Sequence, residues 1–217
     1  MTNLNKRPVG LNFNATNKGG GILDESSGVV NWNDVTYSWV FPMWKQLTNN
    51  TWFAEEVNMS DDVKQWSSLE PHEQDTFKKI IGLLASLDSI QADYCGEVSS
   101  FIGNAHVSSV MAVINFQEII HNQSYSKVLS ALVDKQEQDK IFDMWKTDEV
   151  IKKHNEFIFS TYREFDQNRS IINFAKSIVK DVVLEGIRFY VAFAFFYDLA
   201  RQGKMTKTNE MINFINR

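Results

Sequence analysis

Phe116-Gln117-Glu118-Ile119-Ile120-His121-Asn122-Gln123-Ser124-Tyr125 is the stretch on which the fold turns. Glu118 and His121 are three positions apart and His121 and Tyr125 four, so on a helix all three project from one face. That face also carries Val107, Met111 and Ile114 before the trio and Val128 and Leu132 after it. A carboxylate, an imidazole and a phenol on an apolar stripe are costly unless something inside the molecule satisfies them. A metal ion would satisfy the first two.

Outward from this stretch, long periodic segments with only 3 prolines and 10 glycines in 217 residues predict a mainly helical protein. The helix bearing the trio spans about 105–132. Before it, Pro71 opens a helix whose stripe Phe77, Ile80, Leu84, Leu87 meets Asp88 and Gln91, and which ends near Gly103. Ser60-Asp61-Asp62 marks an earlier helix start, and the Trp-rich residues 31–58 hold one short helix near Pro42. After it, one or two shorter helices cover about 137–165. A long helix over about 170–201 then buries Ile178, Val182, Phe189, Phe193 and Phe196, with Glu185 mid-stripe, and a last helix starts near Thr206. Residues 1–30 are polar, contain Gly19-Gly20-Gly21 and read as a flexible arm. Residues 31–217 read as one domain, since a chain of this length buries one sizeable core.

A net charge of −5 offers no clustered-cation footprint for nucleic acid. The most apolar run, 189–199, is too short to span a bilayer, so no membrane partner is expected. The single Cys95 excludes an intramolecular disulfide framework and fits a reducing cytoplasm. No Gly-rich phosphate loop appears in the helical region.

Each buried polar residue has a plain structural reading by itself. Asp88 could pair with a neighbour, Glu185 with Arg188 three residues on, and Tyr125 could be a core residue with a bonded hydroxyl. Together they say more, because three long helices each bury a carboxylate at mid-length. Bundles that hold two metals use one Glu from each of two helices and Glu-x-x-His from each of two others. Asp88 and Glu185 fit the single carboxylates, and Glu118 with His121 fits one pair. Oxygen ligands with an imidazole suit iron or manganese better than a structural zinc site.

Four stretches then show a resemblance. They are Trp52-Phe53-Ala54-Glu55-Glu56-Val57, Leu87-Asp88-Ser89-Ile90-Gln91, Glu118 through Tyr125, and Leu184-Glu185-Gly186-Ile187-Arg188-Phe189-Tyr190. In order and rough spacing the chain resembles the small, radical-generating (R2) subunit of class I ribonucleotide reductase. The resemblance implies an all-α, ferritin-like bundle around a dinuclear centre, iron first, with manganese–iron or dimanganese as alternatives. By position, Asp88, Glu118 and His121 would ligate the first metal, Glu118 would bridge, and Glu185 would belong to the second. Tyr125 would carry the radical, Phe189 and Phe193 would shield it, and Trp52 would be a surface-side aromatic that relays electrons. The implied partners are the large catalytic subunit, which makes deoxyribonucleotides, and a second copy of the completed subunit.

One element of the family pattern is missing. A second Glu-x-x-His is expected on the helix after the one bearing Glu185, but none of His72, His106 and His154 has a Glu three positions before it. Met211 to Arg217 align just ahead of that motif. The bundle is therefore expected to be incomplete on its C-terminal side, and a companion C-terminal fragment would supply the remaining ligands. Without it the chain would be inactive. Two other readings are a non-catalytic R2-like scaffold and a di-metal oxidase or iron-binding protein of the same fold. Tyr125 beyond His121, with Trp52 upstream, favours the reductase.

Overall fold

The computed structural model describes residues 9–17 and 21–217. Among these the chain is all helical, as expected. The elements are α1 (Val40–Asn49), a 3-10 turn (Ala54–Glu56), α2 (Ser60–Trp66), α3 (Pro71–Phe101), α4 (Ala105–Leu132), α5 (Lys135–Phe142), α6 (Met144–Thr147) and α7 (Glu149–Gln167). There follow α8 (Ile171–Val183), a π turn (Leu184–Arg188), α9 (Phe189–Arg201) and α10 (Thr206–Ile215). The segment expected to hold one or two short helices holds three, because Asp143 and Asp148 each interrupt it.

The helix starts follow from local chemistry. Pro71 occupies the first turn of α3, where a missing N–H costs nothing, and the Glu73 carboxylate accepts from the Glu70 N–H at 2.9 Å. Asn104 caps α4 by accepting from the N–H groups of His106 and Val107 at 3.1 and 3.2 Å. Asp148 and Ser170 do the same for α7 and α8. The long α3 and α4 form an antiparallel pair joined by the turn at residues 102–104, and this pair is the spine of the bundle. α7 packs across α3, α8 lies on α7, and α9 returns to α3.

Part of the expected N-terminal arm, residues 1–8 and 18–20, lies outside the described residues. Residues 22–27 dock on the α3–α4 turn. The Gly103 and Asn104 N–H groups donate to the Ile22 carbonyl, and Ser26 Oγ donates to the Gly103 carbonyl at 2.9 Å. A Cβ on Gly103 would lie 2.1 Å from the Asp24 carbonyl oxygen, so only glycine permits this approach.

The long helix expected over 170–201 is a single rod with a π turn in it, and that turn corrects its inner face. Val182 is 63% exposed, whereas Leu184 and Ser177 are fully buried. A π turn adds one residue to the helical repeat and so shifts the phase of everything before it by about 100°. Counting back from Phe189 in α-helical steps reaches Val182 and Ile178. With one extra residue the steps reach Leu184, Asp181 and Ser177, the positions that face inward.

The start of α10 depends on another helix. Met205, which precedes it, has φ 51° and offers no side-chain cap. Asp62 of α2, wholly buried, accepts instead from the N–H groups of Lys207 and Thr208 and from the Thr208 hydroxyl, at 2.9, 2.6 and 2.7 Å. Asp62→Ala would leave these buried donors unpaired. It should destabilise the chain by about 3 kcal/mol, read from urea unfolding, with α10 losing amide protection first.

Candidate metal centre

Asp88 on α3 and Glu118 and His121 on α4 bring one ligand atom each to within 4.8 Å of one another. Asp88 and Glu118 are buried and His121 is half-buried. His121 Nδ1 lies 3.2 Å from Glu118 Oε2, the contact expected of an i, i+3 pair on one helical face. Glu185 reaches the same place from the π turn, close enough for its charge and those of Asp88 and Glu118 to act on one another.

Apart from the His121–Glu118 contact, this cluster is left largely unsatisfied among the described residues. Both Asp88 oxygens, Glu185 Oε1 and the Tyr125 hydroxyl are buried without a hydrogen-bond partner among the described residues. Burial, reinforced by the charges of Glu118 and Glu185, pushes the Asp88 carboxyl well above its ordinary range. Burial and then the Glu118 and Asp181 charges push Glu185 up to about 9. Acids so arranged hold protons at neutral pH unless a cation takes their place. Three carboxylates and one imidazole, with orphaned oxygens turned inward, fit iron or manganese. Cys95 is buried nearby, and burial followed by the Glu118 charge pushes its thiol up, so it stays protonated and is no thiolate ligand.

Tyr125 is 1% exposed, one turn beyond His121 on α4. Burial, then the Asp88 carboxylate, raises its phenol well above the usual value. Phe189 and Phe193 stack with centroids 5.9 Å apart and belong to the same core as Tyr125. They line a pocket of about 360 Å³ together with Asp88, His121, Glu185 and the C-terminal residues Ile215, Asn216 and Arg217. Trp52 is buried rather than at the surface, stacked on Phe214 of α10 at 5.1 Å, and clustered with Ala54 and Ile120, the neighbour of His121.

Sequence reasoning missed the polar groups behind Glu185. Asp181 Oδ1 accepts from the Gln91 side-chain amide and from the Tyr162 hydroxyl at 3.2 Å, and the same hydroxyl lies 3.0 Å from Gln91 Oε1. Tyr162 stacks on Tyr94 at 3.8 Å, and Tyr94 donates to Ser177 at 2.9 Å. The spacing of Asp181 four residues before Glu185 was a usable signal, but the unforeseen π turn put Val182 in its place.

The raised Glu185 carboxyl has a measurable consequence. Its folded value of about 9 exceeds its ordinary 4.5, so the folded metal-free chain holds a proton that the unfolded chain releases. The stability tied to that proton is full below about pH 4.5 and is lost as pH rises through about 9. The metal-free chain should therefore melt at a lower temperature at about pH 9 than at about pH 6. Glu185→Gln should shrink that difference in calorimetry, and an unchanged difference would contradict the assignment.

The family model for the ribonucleotide reductase small chain matches residues 29–217. The ribonucleoside-diphosphate reductase subunit beta of Halalkalibacterium halodurans is 50% identical over 218 residues, covering 100% of this chain and 63% of its own length. The chain therefore spans less than two thirds of that relative. The ribonucleotide reductase R2 subunit of Clostridium botulinum superposes with a TM-score of 0.96 at 37% identity, over 100% of this chain and 68% of that one. The dimanganese(II)-NrdF of Streptococcus sanguinis does so with a TM-score of 0.77 at 28% identity, over 87% and 65%. The all-helical architecture is thus the ferritin-like bundle of these R2 proteins. With the match running through the carboxylate helices and the π turn alike, this chain belongs to the ribonucleotide reductase small-chain family.

Proposed function

We propose that the chain is the metal- and tyrosine-bearing part of a ribonucleoside-diphosphate reductase small subunit. The observation that carries this is a cluster of buried acids, Asp88 and Glu185 with unpartnered oxygens and Glu118 paired only with His121, beside the buried phenol of Tyr125. In this reading Asp88, Glu118 and His121 would hold one metal, and Glu185 would help hold the other. Iron is the first choice, and manganese–iron or dimanganese pairs suit the same donors. Bound there and oxidised by dioxygen, a metal pair would supply one-electron oxidising power beside Tyr125.

The chain's own residues do the rest. Asp88, beside the phenol, would accept the phenolic proton as the electron leaves. Phe189 and Phe193 keep water from it. Trp52, packed on Ile120 beside the ligand helix, relays electrons between the centre and the large catalytic subunit. A metal store or simple oxidase has no need of a phenol so placed, and this favours the reductase over the other di-metal reading.

The second imidazole comes from elsewhere. His106 Nε2 is 2.9 Å from the Asn31 carbonyl, His154 Nδ1 is 2.9 Å from the Arg188 guanidinium, and His72 is exposed at the start of α3. A segment carrying Glu-x-x-His, packed against the pocket edge that residues 215–217 line, would complete the centre. The completed subunit then pairs with a second copy and with the large subunit in the cytoplasm. Iron-loaded complex purified from its source and exposed to air should carry about two metals per completed subunit and a tyrosyl signal in electron paramagnetic resonance. Tyr125→Phe should abolish that signal and leave the metal content unchanged. A radical that survives the substitution, or a complex with no metal, overturns the proposal.

A further inference from the structure

Two helices that face each other across the site are linked by paired polar residues in antiparallel register. Asp88 of α3 faces Glu185 of the π turn. One turn along, Gln91 of α3 bonds Asp181 of α8, and one turn further Tyr94 of α3 bonds Ser177 of α8. Tyr162 of α7 closes the middle rung by lying within hydrogen-bond distance of both Gln91 and Asp181, and its ring lies flat on Tyr94 with an interplanar angle of 3°. The Ser177 hydroxyl in turn donates to the Phe174 carbonyl oxygen at 2.8 Å.

Apolar packing is non-directional and tolerates a rotated helix, whereas buried donors and acceptors tolerate it poorly. That difference matters here because the rod has an alternative. Without the extra residue of the π turn, α8 and α9 would run on as one α-helix. Val182 and Ile178, now at the surface or half-buried, would then turn inward in place of Asp181 and Ser177. Glu185 sits inside the turn whose phase is at stake.

We infer that Gln91, Tyr162 and Asp181 form a hydrogen-bonded lock that holds the helix in its π-turned phase and so aims Glu185 at Asp88. They are positioning residues. None need touch the metal, and the inference rests on the reading of Glu185 as a ligand only for its consequence on metal binding. The lock works through hydrogen-bond geometry rather than charge, since Asp181 serves as an acceptor from two neutral donors.

The test compares Asp181→Ala with Asp181→Asn, which keeps the acceptor oxygen and removes the charge. Amide exchange is measured on the metal-free chain, and binding of Mn(II) alone is titrated separately. Asp181→Ala should speed exchange at residues 184–188 by roughly ten-fold or more while the α3–α4 spine exchanges as before. It should also weaken Mn(II) binding by about ten- to a hundred-fold. Asp181→Asn should stay within about three-fold of the parent in both. Should Asp181→Ala fail to fold, Tyr162→Phe keeps the stacked ring and should give the same local rise in exchange, smaller in size. Exchange at 184–188 unchanged in these variants, or raised equally throughout the bundle, overturns the lock. So does an Asp181→Asn chain as loose as Asp181→Ala. A parent chain that binds no Mn(II) would count against the metal reading of Glu185, while the exchange data would still decide the lock.

Discussion

Inside a helical bundle a carboxylate normally has donors, because an unpaired one loses its hydration with nothing in return, a penalty of several kcal/mol. Asp88 has none on either oxygen, Glu185 lacks one on Oε1, and the two lie with Glu118 in one buried cluster. Elsewhere the same chain satisfies its buried acids with care: Asp62 takes three donors at the head of α10, and Glu73 takes Lys204 and a backbone N–H. The contrast sets Asp88 and Glu185 apart from the other buried acids and is what a cation site would look like without its ion. Their raised protonation is how the folded chain accommodates them in its absence.

The scaffold makes that arrangement tolerable. The α3–α4 pair sets Asp88 against Glu118 and His121 through one continuous antiparallel contact, fixed at its turn by Gly103 and the docked residues 22–27. Glu185 must come from a third helix, and there the α-helical repeat gives way to a π turn. Such turns occur where a side chain has to be aimed against the regular phase. On its outer side the turn is fastened to α7, since Arg188 lies over the Phe157 ring at 4.3 Å and reaches His154.

Much of this was legible in the sequence, for physical reasons. The i, i+3, i+4 spacing of Glu118, His121 and Tyr125 set their common face, and the helix expected over about 105–132 is α4, which starts at Ala105 behind an Asn104 cap. Asp88 betrayed itself by interrupting an apolar stripe. What stayed hidden were features that local patterns do not encode. The π turn leaves no signature in periodicity until the phase on both sides is compared, and so Val182 was put inside and Asp181 overlooked. The capping of α10 by Asp62 joins residues 146 positions apart. Trp52 looked like a surface relay because nothing near it in sequence announces Phe214.

The claim at the centre of this account is that Asp88, Glu118, His121 and Glu185 share one metal site. Anomalous diffraction from crystals grown with Mn(II) tests it most directly. The account predicts density within bonding distance of Asp88, Glu118 and His121, with Glu185 turned toward the same site. Metal bound only at surface acids, with these four side chains left uncoordinated, would contradict it.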